Sequence, residues 1–232
     1  MTAWLKPLRT GWLLPFVLST TAGAVDVIGF LALGGLFTAH ITGNVVILAM
    51  HYITGCFSEL GPLLSVPTFI VVLGMVTLAS GKLEKAGYCR RAFLLLQAAL
   101  LAGYLGLAVG FGPFTDADCP MGVFVGMLGV AAMATQNALV RLALPGVPST
   151  AVMTTNVTLL SIDLATIVSG QAEPDKRAQA GQRARVTFSC VVGFVVGCVA
   201  GAVLEVHFGL AALALPVALA ALAVGLGELF PE

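Results

Sequence analysis

The sequence predicts an all-α integral membrane protein. Six transmembrane helices form two inverted three-span repeats, each with a broken or re-entrant helix. Three observations lead there: a composition too apolar for a water-facing surface, a duplicated polar motif, and a segregation of basic residues that suits six spans.

Of 232 residues, 59% are hydrophobic and 9% charged, with a mean hydropathy of +1.02. A soluble domain carries about 25% charged residues, so this chain is built for the lipid bilayer. Its net charge is zero, which excludes the broadly basic surface that nucleic acid requires. Lys6 and Arg9, the apolar run Trp12–Leu18 and Ala22-Gly23-Ala24 imitate a cleaved signal peptide. The run continues to Leu36, however, and Gly23–Asp26 belong to the duplication, so the segment is read as a span.

Two stretches carry that duplication. Thr38-Ala39-His40-Ile41-Thr42-Gly43-Asn44-Val45 and Thr150-Ala151-Val152-Met153-Thr154-Thr155-Asn156-Val157 share five positions of eight, as T-A-x-x-T-x-N-V. Upstream, Gly23-Ala24-Val25-Asp26 is echoed by Ala134-Thr135-Gln136-Asn137 after a one-residue shift, which pairs Asp26 with Asn137. Seven residues past each Asn stands another polar group, His51 in the first copy and Asp163 in the second.

Apolar stretches run over about 12–36, 37–55, 62–81, 92–112, 121–140, 149–170, 186–207 and 208–229. A crossing needs about 20 apolar residues, so hydropathy alone permits six spans or eight. Cytoplasmic loops collect Lys and Arg. If all eight stretches crossed, six of the eleven basic residues would be cytoplasmic and five outside. If 37–55 and 149–170 leave on the side they entered, all eleven are cytoplasmic, and the outer loops hold Glu59, Asp116 and Asp118. Residues 1–112 then form the first repeat (spans 12–36, 62–81 and 92–112, re-entrant 37–55). Residues 113–232 form the second (spans 121–140, 186–207 and 208–229, re-entrant 149–170). Three spans per copy force the second copy upside down.

The re-entrant stretches begin after breakers, Gly34-Gly35 in one and Pro145-Gly146-Val147-Pro148 in the other. Irregular backbone at membrane depth is tolerated only inside protein or beside a wet cavity. Paired discontinuous helices in inverted repeats place a site near the midplane. The expected solute-binding residues are therefore Asp26, Thr38, His40, Thr42, Asn44, Asn137, Thr150, Thr154 and Asn156. Asn44 and Asn156 suit the caps of the helices they begin, and helix starts suit an anionic or dipolar solute. Asp26 reads either as a functional intramembrane acid or as a brace for the neighbouring broken helix. His40 reads either as a packing residue or as a ligand.

Other features read as packing. Gly193-x-x-x-Gly197-x-x-x-Gly201 is a small-residue ridge, with Gly74 and Ser80-Gly81 as its first-copy counterparts. Spans 92–112 and 208–229, with Gln97 as their one notable polar group, read as peripheral. The five cysteines form no C-x-x-C or metal-spaced set. Cys190 and Cys198 read as packing residues, and nothing supports a bridge between Cys56 and Cys119. No metal or cofactor is expected. The chain holds no H-E-x-x-H, no G-x-S-x-G and no Gly-rich phosphate loop, so an enzyme is not expected.

Asp26 followed by Phe37-Thr38-Ala39-His40-Ile41-Thr42-Gly43-Asn44 resembles the signature of the YoaK-like family of bacterial inner-membrane proteins. Ala134–Arg141 followed by Pro148–Asn156 is similar to its second signature, and the likeness covers nearly the whole chain. Ala134 departs from the Gly expected at the start of that second motif. The resemblance implies a bacterial source and about six spans; the family is a domain of unknown function and supplies no substrate. The expected function is a transporter or channel for a small polar or anionic solute in the bacterial inner membrane, with both termini cytoplasmic. A membrane scaffold is the alternative, and an intramembrane enzyme is disfavoured. The expected partners are the lipid bilayer, the solute and, where copies associate, a second copy of the chain.

Overall fold

The computed structural model describes residues 11–55, 59–85, 89–170 and 173–228. Lys6, Arg9 and Cys56 lie outside the described residues, as do both chain ends. The described regular structure is helical: α1 (Leu13–Ala32), α2 (Ile41–Thr54), α3 (Leu60–Lys85), α4 (Cys89–Phe111), α5 (Pro120–Ala143), α6 (Met153–Ser169), α7 (Pro174–Phe208), a 3-10 turn (Gly209–Leu213) and α8 (Ala214–Glu228). Among these residues, α1, α3, α4, α5 and the run 174–227 are long and apolar enough to cross a membrane. At ~1.5 Å per residue, α2 and α6 are only about 21 and 26 Å long, short of a hydrocarbon core of about 30 Å.

Each short helix is preceded by a designed break. Gly35 N–H donates to the Phe30 carbonyl at 3.0 Å, with Gly34 at φ 62°, which closes α1 as a left-handed C-cap does. Before α6, Val147 N–H donates to the Leu144 carbonyl at 3.2 Å around Pro145 and Gly146, the latter at φ 84°. That is the residue pattern of a type II turn. At the other extreme, α7 is 35 residues long, about 52 Å. The expected span 186–207 is extended backwards by a polar first third that opens with Pro174 at its N-terminus.

The helices α1 and α5 form the centre. Seventy-eight per cent of the spanning window of each is buried, against 11% for α3. α1 packs on α7 and α8, α5 packs on α3 and α4, and α4 packs on α8. The contacts fix the directions. Gly193, Gly197 and Gly201 meet Phe16, Thr20 and Ala24 in order, so α7 runs parallel to α1. Gly126 meets Leu33 and Leu36 while Gln136 reaches the Leu18 carbonyl, so α5 runs against α1. Tyr104 meets Gly129 and Gln97 meets Gln136, so α4 runs against α5. Gly112 lies against Leu210 and Gly227 against Leu94, so the chain reverses at Gly209 and α8 runs back along α4. Asp118 accepts from Glu59 N–H (3.2 Å) and Leu60 N–H (2.9 Å), so α3 and α5 start at one end.

Two packing expectations need correction. The α7 ridge is an interface, but its first-copy counterparts are not: Gly74 and Gly81 have nothing within 4 Å of where a side chain would begin. α3 leaves that face uncovered, so its small residues serve no close approach. Nor are α4 and α8 peripheral. Phe93, Gln97, Leu101 and Tyr104 of α4 are fully buried, and Ala220 and Ala223 of α8 join them in the core. Cys119 is free and accepts from Gly122 N–H at the start of α5.

At Gly197 and at Gly23 an added Cβ would overlap the carbonyl oxygens of Thr20 and Phe194 respectively. Gly197→Leu is expected to destabilise the protein by about 3 kcal/mol or more, at the upper end of overpacking costs. Gly74→Leu is expected to leave the thermal midpoint in lipid nanodiscs unchanged.

Candidate functional site

Both breaks leave backbone polar groups inside the apolar core, and specific side chains satisfy them. In the first copy, Asn44 closes a ring on Phe37. Its Oδ1 accepts from Phe37 N–H (2.8 Å), its Nδ2 donates to the Phe37 carbonyl (2.7 Å), and Nδ2 also donates to Ser65 Oγ of α3 (2.7 Å). In the second copy, Asn156 Nδ2 donates to the carbonyl of Ser149, the position matching Phe37. Neither Asn is a cap: each sits in the fourth position of its helix, and the residues before the helices, His40 and Val152, make no side-chain cap. The motif therefore folds the lead-in against the helix rather than terminating the helix.

The capping falls to other groups. Asp26, from the middle of α1, accepts from Ala39 N–H (2.7 Å) and His40 N–H (3.2 Å) through Oδ1. A carboxylate thus sits at the positive start of α2. In the second copy, Ser149 Oγ accepts from Val152 N–H (2.9 Å) and Ala151 N–H (3.4 Å). The first copy has Phe37 where the second has Ser149, so it needs an acceptor from outside.

Asn137 does not play the part of Asp26. It donates to the Met133 carbonyl of its own helix, while the adjacent Gln136 faces inward. Gln136 Nε2 donates to Thr150 Oγ1 (2.8 Å) and to the Leu18 carbonyl (2.9 Å), and its Oε1 accepts from Gln97 Nε2 (2.6 Å). One residue along a helix turns a side chain by about 100°, and that rotation separates the two roles.

Two buried members of the expected set, Thr38 and Thr150, lie against α4 and α5 at two levels. Thr38 lies against Gly29, Gly129 and Tyr104, and Thr150 lies at Gln136. Seven residues separate Gly129 from Gln136, and likewise Gln97 from Tyr104, about 10 Å along the helices. Thr38 Oγ1, Tyr104 Oη, Gln97 Oε1 and Asn156 Oδ1 are shielded from solvent and have no hydrogen-bond partner among the described residues. His40, Thr42 and Thr154 are exposed and stand outside this track, the His40 ring 5.7 Å from that of Phe37. Among the described residues, no hydrogen bond joins 38–44 directly to 150–156. Tyr104, Gln97 and Gln136 are buried polar residues of the track that motif matching did not place there. The signal for Gln97 and Tyr104 was two polar residues seven apart on the otherwise Leu- and Ala-rich α4.

Each short helix is also clamped further along. His51 Nε2 meets Glu59 Oε1 at 2.6 Å, tying α2 to α3. The fully buried Asp163 carboxylate takes two hydrogen bonds from the half-exposed Arg183, tying α6 to α7.

The fold and the track define a multi-helix transmembrane protein with two interrupted helices around a buried polar core. The chain belongs to the family described as Protein of unknown function (DUF1275), whose model matches residues 14–226. It is 29% identical over 148 residues to the UPF0700 transmembrane protein YoaK of Bacillus subtilis (strain 168), across 62% of this chain and 63% of that protein. The chain thus aligns with just under two thirds of that relative's length. No solved structure matches.

Asn44→Ala is expected to cost roughly 3 kcal/mol, because it strands both polar groups of Phe37 in the core. Asn156→Ala breaks one backbone bond, and the expected cost is about 1 kcal/mol. Chemical denaturation in micelles would rank the two, and equal losses would show that the locks are equivalent. In the α6 clamp, Arg183→Met is expected to cost on the order of 2 kcal/mol, between surface and buried ion pairs. Adding Asp163→Leu should restore part of that loss, since it removes the stranded charge, and a double-mutant cycle measures the recovery.

Proposed function

We propose that the protein is a transporter or channel for a small polar solute, multi-pass in a bacterial inner membrane, with both termini cytoplasmic. In this reading α7 and α8 are separate spans, which makes six. The halves 1–112 and 113–232 are inverted repeats that exchange α1 with α5, α2 with α6, α3 with α7 and α4 with α8. The packing supports the exchange: α1 packs on α7 as α5 packs on α3, α1 on α8 as α5 on α4, and α2 on α3 as α6 on α7. Charge supports the orientation. Glu59, Asp116 and Asp118 sit at one end of the bundle, while Arg90, Arg91, Arg141 and the basic start of α7 sit at the other.

The observation that carries the transport reading is the two-level polar track between the broken helices, with unpartnered oxygens at both levels. Leaving a buried polar group unpaired costs about 1–3 kcal/mol. A polar solute moving past these oxygens offsets that cost, whereas pure packing would not call for them. Anion binding is the weaker option, because Asp26 and Ser149 already occupy N–H groups at the two helix starts. No catalytic step and no cofactor form part of the proposal.

Proteoliposomes loaded with the purified chain test it against a panel of radiolabelled probes: glycerol, urea, alanine, acetate and inorganic phosphate. An uncharged or dipolar probe is expected to cross faster than through protein-free vesicles. Thr38→Val and Gln136→Leu should each slow it about tenfold, the factor that one lost hydrogen bond carries, with thermal melts verifying that both variants fold. No protein-dependent flux for any probe would overturn the transport reading. Labelling of single cysteines at 59 and 118 from opposite faces would overturn the six-span topology.

A further inference from the structure

Helix α7 carries one exposed stripe whose chemistry changes at a defined depth. At about 100° per residue, Val206, Val199, Val195 and Phe188 fall on one face, and all four are exposed. The same face continues towards the helix start through Arg185, Gly181 and Arg177, so the stripe turns from apolar to basic. A crossing takes about 20 residues, and counted back from Phe208 they end near Ser189. Ser189 Oγ donates to the Trp12 carbonyl at 3.4 Å, and the Trp12 side chain is exposed. Exposed Trp marks the membrane–water interface, which puts the apolar part of the stripe at acyl-chain depth and the basic part at headgroup depth. The basic part is also a groove. Ile167 and Gly170 at the end of α6 face Pro174, Arg177, Ala178 and Gly181 of α7 across an open cleft of about 650 Å³. Gly170 and Gly181 have nothing within 4 Å of where a side chain would begin, so the floor is bare. Charges around it do not cancel. Lys176 pairs with Glu173 at 3.2 Å and Arg183 pairs with Asp163, whereas Arg177 and Arg185 form no ion pair among the described residues. Asp175, on the same helix, stands on another face.

We propose that the α6–α7 groove is a docking site for an anionic phospholipid, its phosphate held by Arg177 and Arg185 over Gly181 and its acyl chains laid along Phe188 and Val195. Charge complementarity fixes the occupant. The two arginines stand about 12 Å apart along the helix, so their long side chains close on one phosphate from both sides. Guanidinium groups match phosphate oxygens in paired hydrogen bonds, and basic pockets between membrane helices take anionic headgroups. A zwitterionic lipid brings no net charge to offset the two cations, and a soluble phosphate makes no use of the apolar stripe that continues from the groove. Because the cleft is walled by both helices, a docked lipid joins α6 to α7 beside the Asp163–Arg183 clamp. Docking needs α7 to cross the bilayer and does not depend on the transport reading.

The test is equilibrium binding of radiolabelled dioleoylphosphatidylglycerol to the full chain in micelles of an uncharged detergent. One saturable site is the expected result, displaced by unlabelled phosphatidylglycerol but not by dioleoylphosphatidylcholine or glycerol 3-phosphate, and weakened as sodium chloride is raised. Arg177→Gln and Arg185→Gln should each weaken binding about fivefold, the factor that one basic residue contributes near an anionic surface. Gly181→Leu keeps both charges but fills the floor of the groove, and should weaken binding as well. Arg141→Gln, an exposed arginine at the end of α5, should leave it unchanged. Thermal melts of every variant separate lost binding from lost fold. Equal affinity for phosphatidylglycerol and phosphatidylcholine would overturn the site, as would undiminished binding in folded Arg177→Gln and Arg185→Gln, or an equal loss in Arg141→Gln. Displacement by glycerol 3-phosphate would overturn the lipid as occupant. Saturable lipid binding without flux of any solute would retain the site and remove the transport reading. Solute flux in a protein that does not distinguish the two lipids would do the reverse.

Discussion

Everything in this fold depends on satisfying the backbone where two helices are interrupted inside the apolar core. A continuous helix consumes its own N–H and C=O groups, but an interrupted one exposes several of each to a medium that cannot solvate them. The chain answers with side chains whose reach and chemistry fit the gap. In both copies the amide donates to the carbonyl seven residues back, Phe37 or Ser149, and in the first copy it also accepts from the Phe37 N–H. Asp26 and Ser149 then serve the free N–H groups at the two helix starts. Without these groups the breaks would leave N–H and C=O groups stranded in the apolar core.

The two copies solve this shared problem with different residues, and the difference has electrostatic consequences. In the second copy the cap is a neutral hydroxyl from the lead-in itself, two and three residues before the N–H groups it serves. In the first, the lead-in offers Phe37, whose ring packs 4.7 Å from that of Phe30, so the acceptor arrives from α1 as a carboxylate. The Thr38–Tyr104 level of the track therefore has a carboxyl group on its side of the fold, while the Gln97–Gln136 level carries amides. The clamps differ in the same way. The short helix contributes the basic group in His51–Glu59 and the acidic group in Asp163–Arg183.

Much of the fold was legible. Composition gave the bilayer, Gly34-Gly35 and Pro145–Pro148 gave the breaks, and the repeated T-A-x-x-T-x-N gave the segments that fold on them. Seven residues past each Asn, the clamping positions His51 and Asp163 were visible as a pattern, though not as ion pairs, because their partners, Glu59 just ahead of α3 and Arg183 of α7, come from later in the chain. The pairing of Asp26 with Asn137 failed for a geometric reason. Sequence matching aligns positions, but a one-residue offset on a helix sends the side chain to another face, and Gln136 takes the inward one. Tyr104 and Gln97 escaped because hydropathy scores a helix as a whole, whereas burial is decided by the stripe that meets a neighbour. The likeness drawn between Gly74 and the α7 glycines failed similarly: a small residue permits close approach but does not bring a partner to it.

The polar track divides elements of unequal stiffness. On one side, α1 and α7 lie backbone to backbone through Gly23, Gly193, Gly197 and Gly201, where any displacement would break many close contacts at once. On the other, α3 is largely uncovered, contains Pro67, and presents Gly74 and Gly81 to open space. A proline inside a helix removes one of its hydrogen bonds and weakens it locally. α2 rides on α3 through Asn44–Ser65 and His51–Glu59, and touches α1 through Asp26. In the proposed transporter, the change of access that these contacts favour is a movement of α2 with α3 against the α1–α7 pair, which would have to break the contact between Asp26 and the start of α2. In that reading, the two hydrogen bonds from Ala39 and His40 to Asp26 are the joint between the closely packed α1–α7 pair and the more loosely packed α2–α3 pair.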